Sequence, residues 1–271
     1  MLQVLDIERV AAKDIKVLAD NLSLGEVRST IDFYYQVQES RKAAANQNLA
    51  LTKAGEPASL VDWITDSTLR IESTIKSVMD HWTLQDELST WARSIVGIGP
   101  VISAGLRAHI DVTKAASVSH VWSFAGYNPT MVWEKGQKRP WNARLKVLCW
   151  KVGESFVKTS GNPKSFYGPI YIARKKLEIE RNESGQYKDQ AAHVLATRKI
   201  RTTTEAHKKY ITGVLPDAHI HARAKRYAVK LFLSHYWAVA YELHYKVKAP
   251  NVYVIEHLGH TDTIPPPNWP M

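Results

Sequence analysis

The chain of 271 residues is long enough for one large or two small domains with a substantial core, and its single cysteine, Cys149, excludes a disulfide framework or a cysteine-based zinc cluster. A net charge of +10 is unevenly spread: residues 1–100 hold 14 Asp/Glu against 10 Lys/Arg, and residues 101–271 hold 12 against 26. That asymmetry predicts an acidic or neutral scaffold joined to a basic module whose usual partner is a polyanion.

The opening stretch "MLQVLDIERVAAKD" carries charges where a signal peptide needs its apolar region, and no segment reaches the length of a membrane span. The expectation is an intracellular protein, cytoplasmic or nucleoid-associated, without a membrane partner. Ile7, Val10, Ala11, Ile15 and Leu18 recur near helical spacing and predict a first helix. A longer helix follows from "LGEVRST" and ends at Gly55. A third runs from about Ser59 to His81 with Leu60, Ile64, Leu69, Ile71, Ile75, Val78 and Met79 on its apolar side. These helices form either a bundle or a coiled-coil arm, and self-association through them is one expected use.

The run "WARSIVGIGPVISAGLRAHI" is helical at both ends and broken at Gly97-Ile98-Gly99-Pro100. Two glycines permit a turn through positive φ, and Pro100 is pre-set for the first turn of a new helix. Ile98 would plug the turn, Gly105 would allow close helix approach, and the free amides of the second helix would form an anion site. This punctuation resembles the helix-hairpin-helix of DNA-binding and repair proteins. An ordinary helix end followed by a new start would give the same pattern.

Ser117 or Ser119 is placed to cap a short helix stopping near Gly126 and Pro129, after which "TMVWEKGQKRPWNARLK" reads as an irregular basic loop. From Asn142 to Lys158, Leu145, Leu148, Cys149, Val152 and Phe156 form one stripe, and Arg144, Lys151 and Lys158 recur every seven on another. Six Lys/Arg and one Glu lie between Glu134 and Lys151, interleaved with tryptophans, as a surface that neutralises phosphates and stacks bases requires. Cys149 reads as a buried, inert thiol. A polar helix interrupted near Ser184-Gly185 follows, then a long helix capped by Asp217, with a basic first half and an aromatic second half ending before Pro250. The tail "EHLGHTDTIPPPNWPM" is proline-rich and reads as extended.

Taken in order, the hairpin, "HVWSFAGYNP", "KGQKRPWNARLKVLCWKV", "KSFYGPIY" and "HIHARAKRYAVKLFLSHYW" resemble the C-terminal domain of the bridge-RNA-guided, DEDD-type insertion-sequence transposases over about residues 68–240. The resemblance implies a helix-hairpin-helix-containing helical domain acting in DNA recombination on a mobile genetic element. It gives an all-α chain with an N-terminal arm at 1–67, a transposase-like domain at 68–248 with its hairpin at about 88–110, and a tail at 249–271. Two departures bear on chemistry. The roughly 65 preceding residues are too few and too helical for the family's resolvase-like half, so no acidic metal-binding set maps onto the chain. Where the family carries its catalytic serine, this chain has only "TMVWEKGQK", with Thr130 as the sole hydroxyl and no evident base.

Binding therefore carries over better than cleavage. The expected contacts are Gly97, Ile98 and Gly99 in the hairpin, with Lys135, Lys138, Arg139, Arg144, Lys151, Arg223 and Arg226 on the basic surfaces; no catalytic residue, metal or cofactor is expected. Duplex or branched DNA is the first partner and structured RNA the second. Two alternatives stay open: a recombinase component whose catalytic domain sits on another chain, and a purely structural interaction protein. The histidines of "HIH" at 219–221 and "HLGH" at 257–260 lack a fixed acidic partner, and Glu178 and Glu180 read as an ion-paired helix surface rather than an acid/base couple. The phosphate-loop, dinucleotide and nucleophile-elbow motifs do not occur.

Overall fold

A computed structural model describes residues 12–250 and 264–270. The described residues form an all-helical fold of α1 (Ala12–Asp20), α2 (Leu24–Ala54), α3 (Ser59–Leu84), α4 (Glu87–Arg93), α5 (Pro100–His109), α6 (Val118–Phe124), α7 (Ala143–Lys158), α8 (Tyr167–Glu183), α9 (Lys188–Thr197), α10 (Glu205–Ile211) and α11 (Asp217–Tyr245). They make two compact units: the first contains the chain up to Ser94 with Ile98–Lys114, and the second contains Ile95–Gly97 with everything from Ala115. The boundary anticipated at residue 67 falls inside the continuous helix α3. The reason is that Val78 and Met79, near its end, belong to the same core as Val27 and Ile31 of α2.

In the first unit, α2 starts where the Ser23 hydroxyl accepts from the Glu26 amide at 3.2 Å, and it ends where Gly55, at φ 74°, turns left-handed so that its amide and that of Glu56 close on Thr52 and Leu51. Val27, Ile31, Val78, Met79, Val101 and Ala104 form the core, with Ile15 and Ala19 of α1 packed on it. Leu18, placed on the apolar stripe by spacing, is exposed instead; Ile7, Val10 and Ala11 lie outside the described residues. Farther along the α2–α3 pair the core thins, leaving Leu49, Leu60 and Leu69 at 50 % exposure or more. One carboxylate is held between these helices: Glu72 takes Arg41 at 2.6 Å, Gln38 at 3.0 Å and Tyr34 at 3.3 Å. Burial alone would raise its pKa, and these donors overcome that to hold it below the usual carboxylate value.

The second unit is built round α11, whose Ile220, Ala224, Ala228, Val229, Phe232, Leu233, Tyr236 and Trp237 are all buried. The α7 stripe read from the sequence is the face that meets it, since Leu145, Leu148, Cys149, Val152 and Phe156 are buried too. Gly153 lets the helices close up: a Cβ there would stand 2.6 Å from Lys225 Cγ. Cys149 is fully enclosed, and burial pushes its thiol pKa well up. Asp217 is not the cap of α11. Pro216 occupies the cap position in extended geometry, and the Asp217 carboxylate, one residue on, takes Lys209 Nζ at 2.6 Å.

Of the tail, residues 264–270 are described; they make a turn at Pro267-Asn268, where Asn268 has φ 57°, and they are docked. The Ile264 carbonyl accepts from His235 Nε2 at 2.8 Å, and the Trp269 indole N–H donates to Glu242 at 2.8 Å. Because a carbonyl can only accept, the His235 proton sits on Nε2, and Nδ1 accepts from the Tyr167 hydroxyl at 2.6 Å. Burial drives this imidazole's pKa down to about 4, against the opposing pull of the Ile264 carbonyl.

Candidate nucleic-acid interface

The α4–α5 pair is tied together by small buried residues. Ser103 Oγ donates to the Ser89 carbonyl at 3.0 Å, and Asp86, which caps α4 through the Ser89 amide, also takes Arg107 at 3.0 Å. Ile98 is buried as the plug of the turn. The two glycines divide the work unequally. Gly97 has φ 101°, a conformation that disfavours every L side chain, whereas Gly99 is extended at φ −89° and open around its α-carbon. Only one glycine thus turns through positive φ; Gly99 serves as the uncapped N-cap of α5, with Pro100 next to it. Gly97 belongs to the second unit, where Ser155 Oγ donates to its carbonyl at 2.6 Å; Ile98 and Gly99 belong to the first.

The basic loop has a built framework. Helix α6 begins after Ser117, whose hydroxyl faces His120 Nδ1 at 2.9 Å rather than capping an amide. It ends at Gly126, φ 71°, with the Tyr127 amide reaching back to the Trp122 carbonyl at 2.8 Å. A Cβ on Gly126 would lie 2.9 Å from Lys146 Cδ and 3.0 Å from the Trp141 ring. Asn128 accepts from both the amide (3.0 Å) and the hydroxyl (2.8 Å) of Thr130, so that hydroxyl is spent on a local turn. The next turn is closed by Gly136 at φ 92° and by the Trp133 indole N–H, which donates to the Gln137 carbonyl at 2.7 Å. Asn142 then caps α7 through the Leu145 amide at 2.9 Å.

Cations lie on indole rings throughout this unit. Arg139 stands 5.3 Å from the Trp133 centroid, Lys146 3.9 Å from Trp141, Lys230 4.1 Å from Trp122 and Lys225 5.1 Å from Trp150. Lys146 has its pKa lowered by burial first and then by the positive charges of Arg139 and Arg226. The pKa of Lys230 is lowered by burial alone. His219 is likewise depressed by burial and then by Arg226, Arg223 and Arg198, which extends the cationic neighbourhood along α11 towards the end of α9.

The basic residues expected from sequence fall into four groups. Arg139 and Arg226 are brought together around Lys146; Lys135 and Lys138 are exposed on the loop; Arg144 is exposed and Lys151 half-buried on α7. Arg223 is committed inside the protein: it pairs with Glu178 at 2.5 Å, donates to Gln190 at 2.9 Å and covers the Tyr187 ring at 4.3 Å. Glu178 is not the surface residue its charged helix implied. It is 1 % exposed and held by Arg174 (2.6 Å), Arg223 and the Tyr187 hydroxyl (2.6 Å), which overcome the effect of burial and lower its pKa. Glu180, by contrast, is exposed.

Lys225 and Lys230 are read from the sequence as part of the basic first half of the last helix, but neither they nor Lys146 are among the contacts expected there. Only the Trp141–Lys146 pair is local enough to be visible in the sequence; the other two lysines meet tryptophans more than 70 residues away. His219 faces Tyr210 (3.2 Å) while His221 faces Tyr171 (2.7 Å), so the pair diverges. Among the described residues no group of three or more His, Cys, Asp or Glu side chains is placed to hold a metal ion, and no helix is long and apolar enough to cross a membrane. His257 and His260 lie outside the described residues.

The fold and site thus define an all-helical protein whose second unit displays cations seated on indoles. No family model matches the chain, and neither a curated protein nor a solved structure matches it.

Proposed function

We propose that the chain is a sequence-tolerant nucleic-acid-binding protein, related to the C-terminal domain of insertion-sequence transposases and acting through phosphate contacts rather than cleavage. The observation that supports this best is the half-buried Lys146, seated on the Trp141 ring, whose charge is disfavoured first by burial and then by the charges of Arg139 and Arg226. Holding three like charges together costs free energy that a phosphate backbone offsets on binding. Lys135 and Lys138 extend the same surface on the loop, and the uncapped amides at the start of α5 add a second, separate phosphate contact. Such contacts fix position without reading sequence. DNA and structured RNA both satisfy them. The exposed leucines of the α2–α3 pair are the surface offered for self-association. The kinship rests on the order of the sequence motifs.

Fluorescence anisotropy of labelled duplex, four-way junction and RNA hairpin against salt concentration tests this reading. Binding should weaken steeply with salt, and Lys146→Gln, Arg139→Gln and Arg226→Gln should each reduce the logarithmic slope by about one. Absence of binding at low salt, or slopes that these variants leave unchanged, would refute it.

A further inference from the structure

We propose that the basic surface of the second unit takes single-stranded polynucleotide in preference to continuous duplex, stacking unpaired bases on the open faces of Trp133 and Trp150. The proposal rests on the nucleic-acid reading above and sharpens it.

Tryptophan is highly buried on average, yet Trp133 is 38 % and Trp150 51 % exposed. A cation lies against each ring, Arg139 on Trp133 and the stem-packed Lys225 on Trp150. The Trp133 ring is fixed in place by its N–H, which the Gln137 carbonyl holds, and the cation against Trp150 is anchored, since Lys225 pairs with Glu154 and packs over Gly153. An indole whose N–H is already occupied offers a base its π-face and no hydrogen-bond code, which is the property of a sequence-tolerant stacking platform.

The order along the surface follows from the contacts. Trp133 meets Arg139, Arg139 neighbours Lys146, and Trp150 stands one turn beyond Lys146 on α7, about 6 Å along the helix axis. Lys225 closes the series on the far ring. Cations therefore lie between and beside the two exposed indoles, as phosphates lie beside bases along one strand. A duplex presents phosphates to such a surface and keeps its bases stacked inside, so the cations would be used and the exposed indoles would not. The indoles are what separate the two ligands.

The test compares the full chain binding oligo-dT, oligo-U and a blunt duplex of equal phosphate number at several salt concentrations, with Trp133→Leu and Trp150→Leu beside the wild type. Each variant should bind the single strands about tenfold more weakly with an unchanged salt slope, and should leave duplex affinity unaltered. Trp133→Phe should recover part of the loss, which a merely structural effect of the leucine would not produce, and circular dichroism checks that each variant is folded. Binding of both homopolymers identifies the shared chemistry of unpaired nucleotides; binding of only one supports the proposal, and oligo-dU then separates the sugar from the thymine methyl. If duplex binds as tightly as single strands, or if the leucine variants weaken both alike, stacking is overturned while the nucleic-acid reading stands. If the wild type binds none of the three at low salt, that reading itself falls.

Discussion

Replacing Gly97 by alanine should be far more damaging than the same change at Gly99, two residues on. At φ 101°, Gly97 holds a backbone conformation that costs a residue with a Cβ about 1–3 kcal/mol. The new methyl would also stand 3.0 Å from Ser155 Oγ and 3.2 Å from Thr159 Oγ1, so Ser155 must rotate away from the Gly97 carbonyl it now donates to. Losing that bond adds about 0.5–1.5 kcal/mol, for a total of about 1.5–4.5 kcal/mol. Gly99 is extended with nothing within 4 Å of an added Cβ, and its alanine variant should be neutral or more stable by up to about 1 kcal/mol through loss of unfolded-state freedom. Equilibrium urea unfolding followed by helical circular dichroism distinguishes the two: the Gly97→Ala midpoint should fall at constant slope, and the Gly99→Ala midpoint should hold or rise. Equal shifts, or a neutral Gly97→Ala, would show that the turn does not depend on the positive φ described here.

The Glu178→Ala variant strips Arg174 and Arg223 of a carboxylate that is 1 % exposed, and leaving such charges without it costs about 3–5 kcal/mol; urea unfolding should show this, and a loss below about 1 kcal/mol would mean the cluster relaxes into solvent. His235 gives a pH signature. Its folded pKa of about 4 lies below the ordinary 6.5, so above that ordinary value both states are neutral and the full stability is present. As pH falls from 6.5 towards 4 the unfolded chain takes up a proton the folded one refuses, and about 3 kcal/mol is lost by the time pH reaches the folded value. Against His235→Gln, the wild type should show that extra loss within this window; parallel pH profiles would contradict the buried neutral imidazole.

How far the sequence discloses this molecule depends on the range of the interaction in question. The helices follow from periodicity and punctuation, both local, and the α7 stripe from Leu145 to Phe156 proves to be the buried face residue by residue. What periodicity cannot say is whether a stripe finds something to cover it: Leu60 and Leu69 satisfy the same spacing as Val78, and of the three only Val78 enters the first core. Capping shows the same limit. Asn142 caps α7, whereas Asp217 is displaced from the cap because Pro216 is already extended and Lys209 claims the carboxylate.

The charged residues are hardest to read, because a basic helix face looks identical in sequence whether it faces water, a carboxylate or a phosphate. Arg223 of α11 forms a direct ion pair with the buried Glu178 of α8, 45 positions away, while the charge of Arg226 is felt by Lys146 of α7, 80 positions away. Glu178 favours the charge of Arg226 as well, yet burial and then the neighbouring Arg223 outweigh it and lower the Arg226 pKa, whereas the direct pair raises that of Arg223 against the effect of burial. That contrast between two arginines on one helix, one directly ion-paired and the other with its charge disfavoured, makes Arg226 rather than Arg223 the residue of α11 to expect against a phosphate backbone.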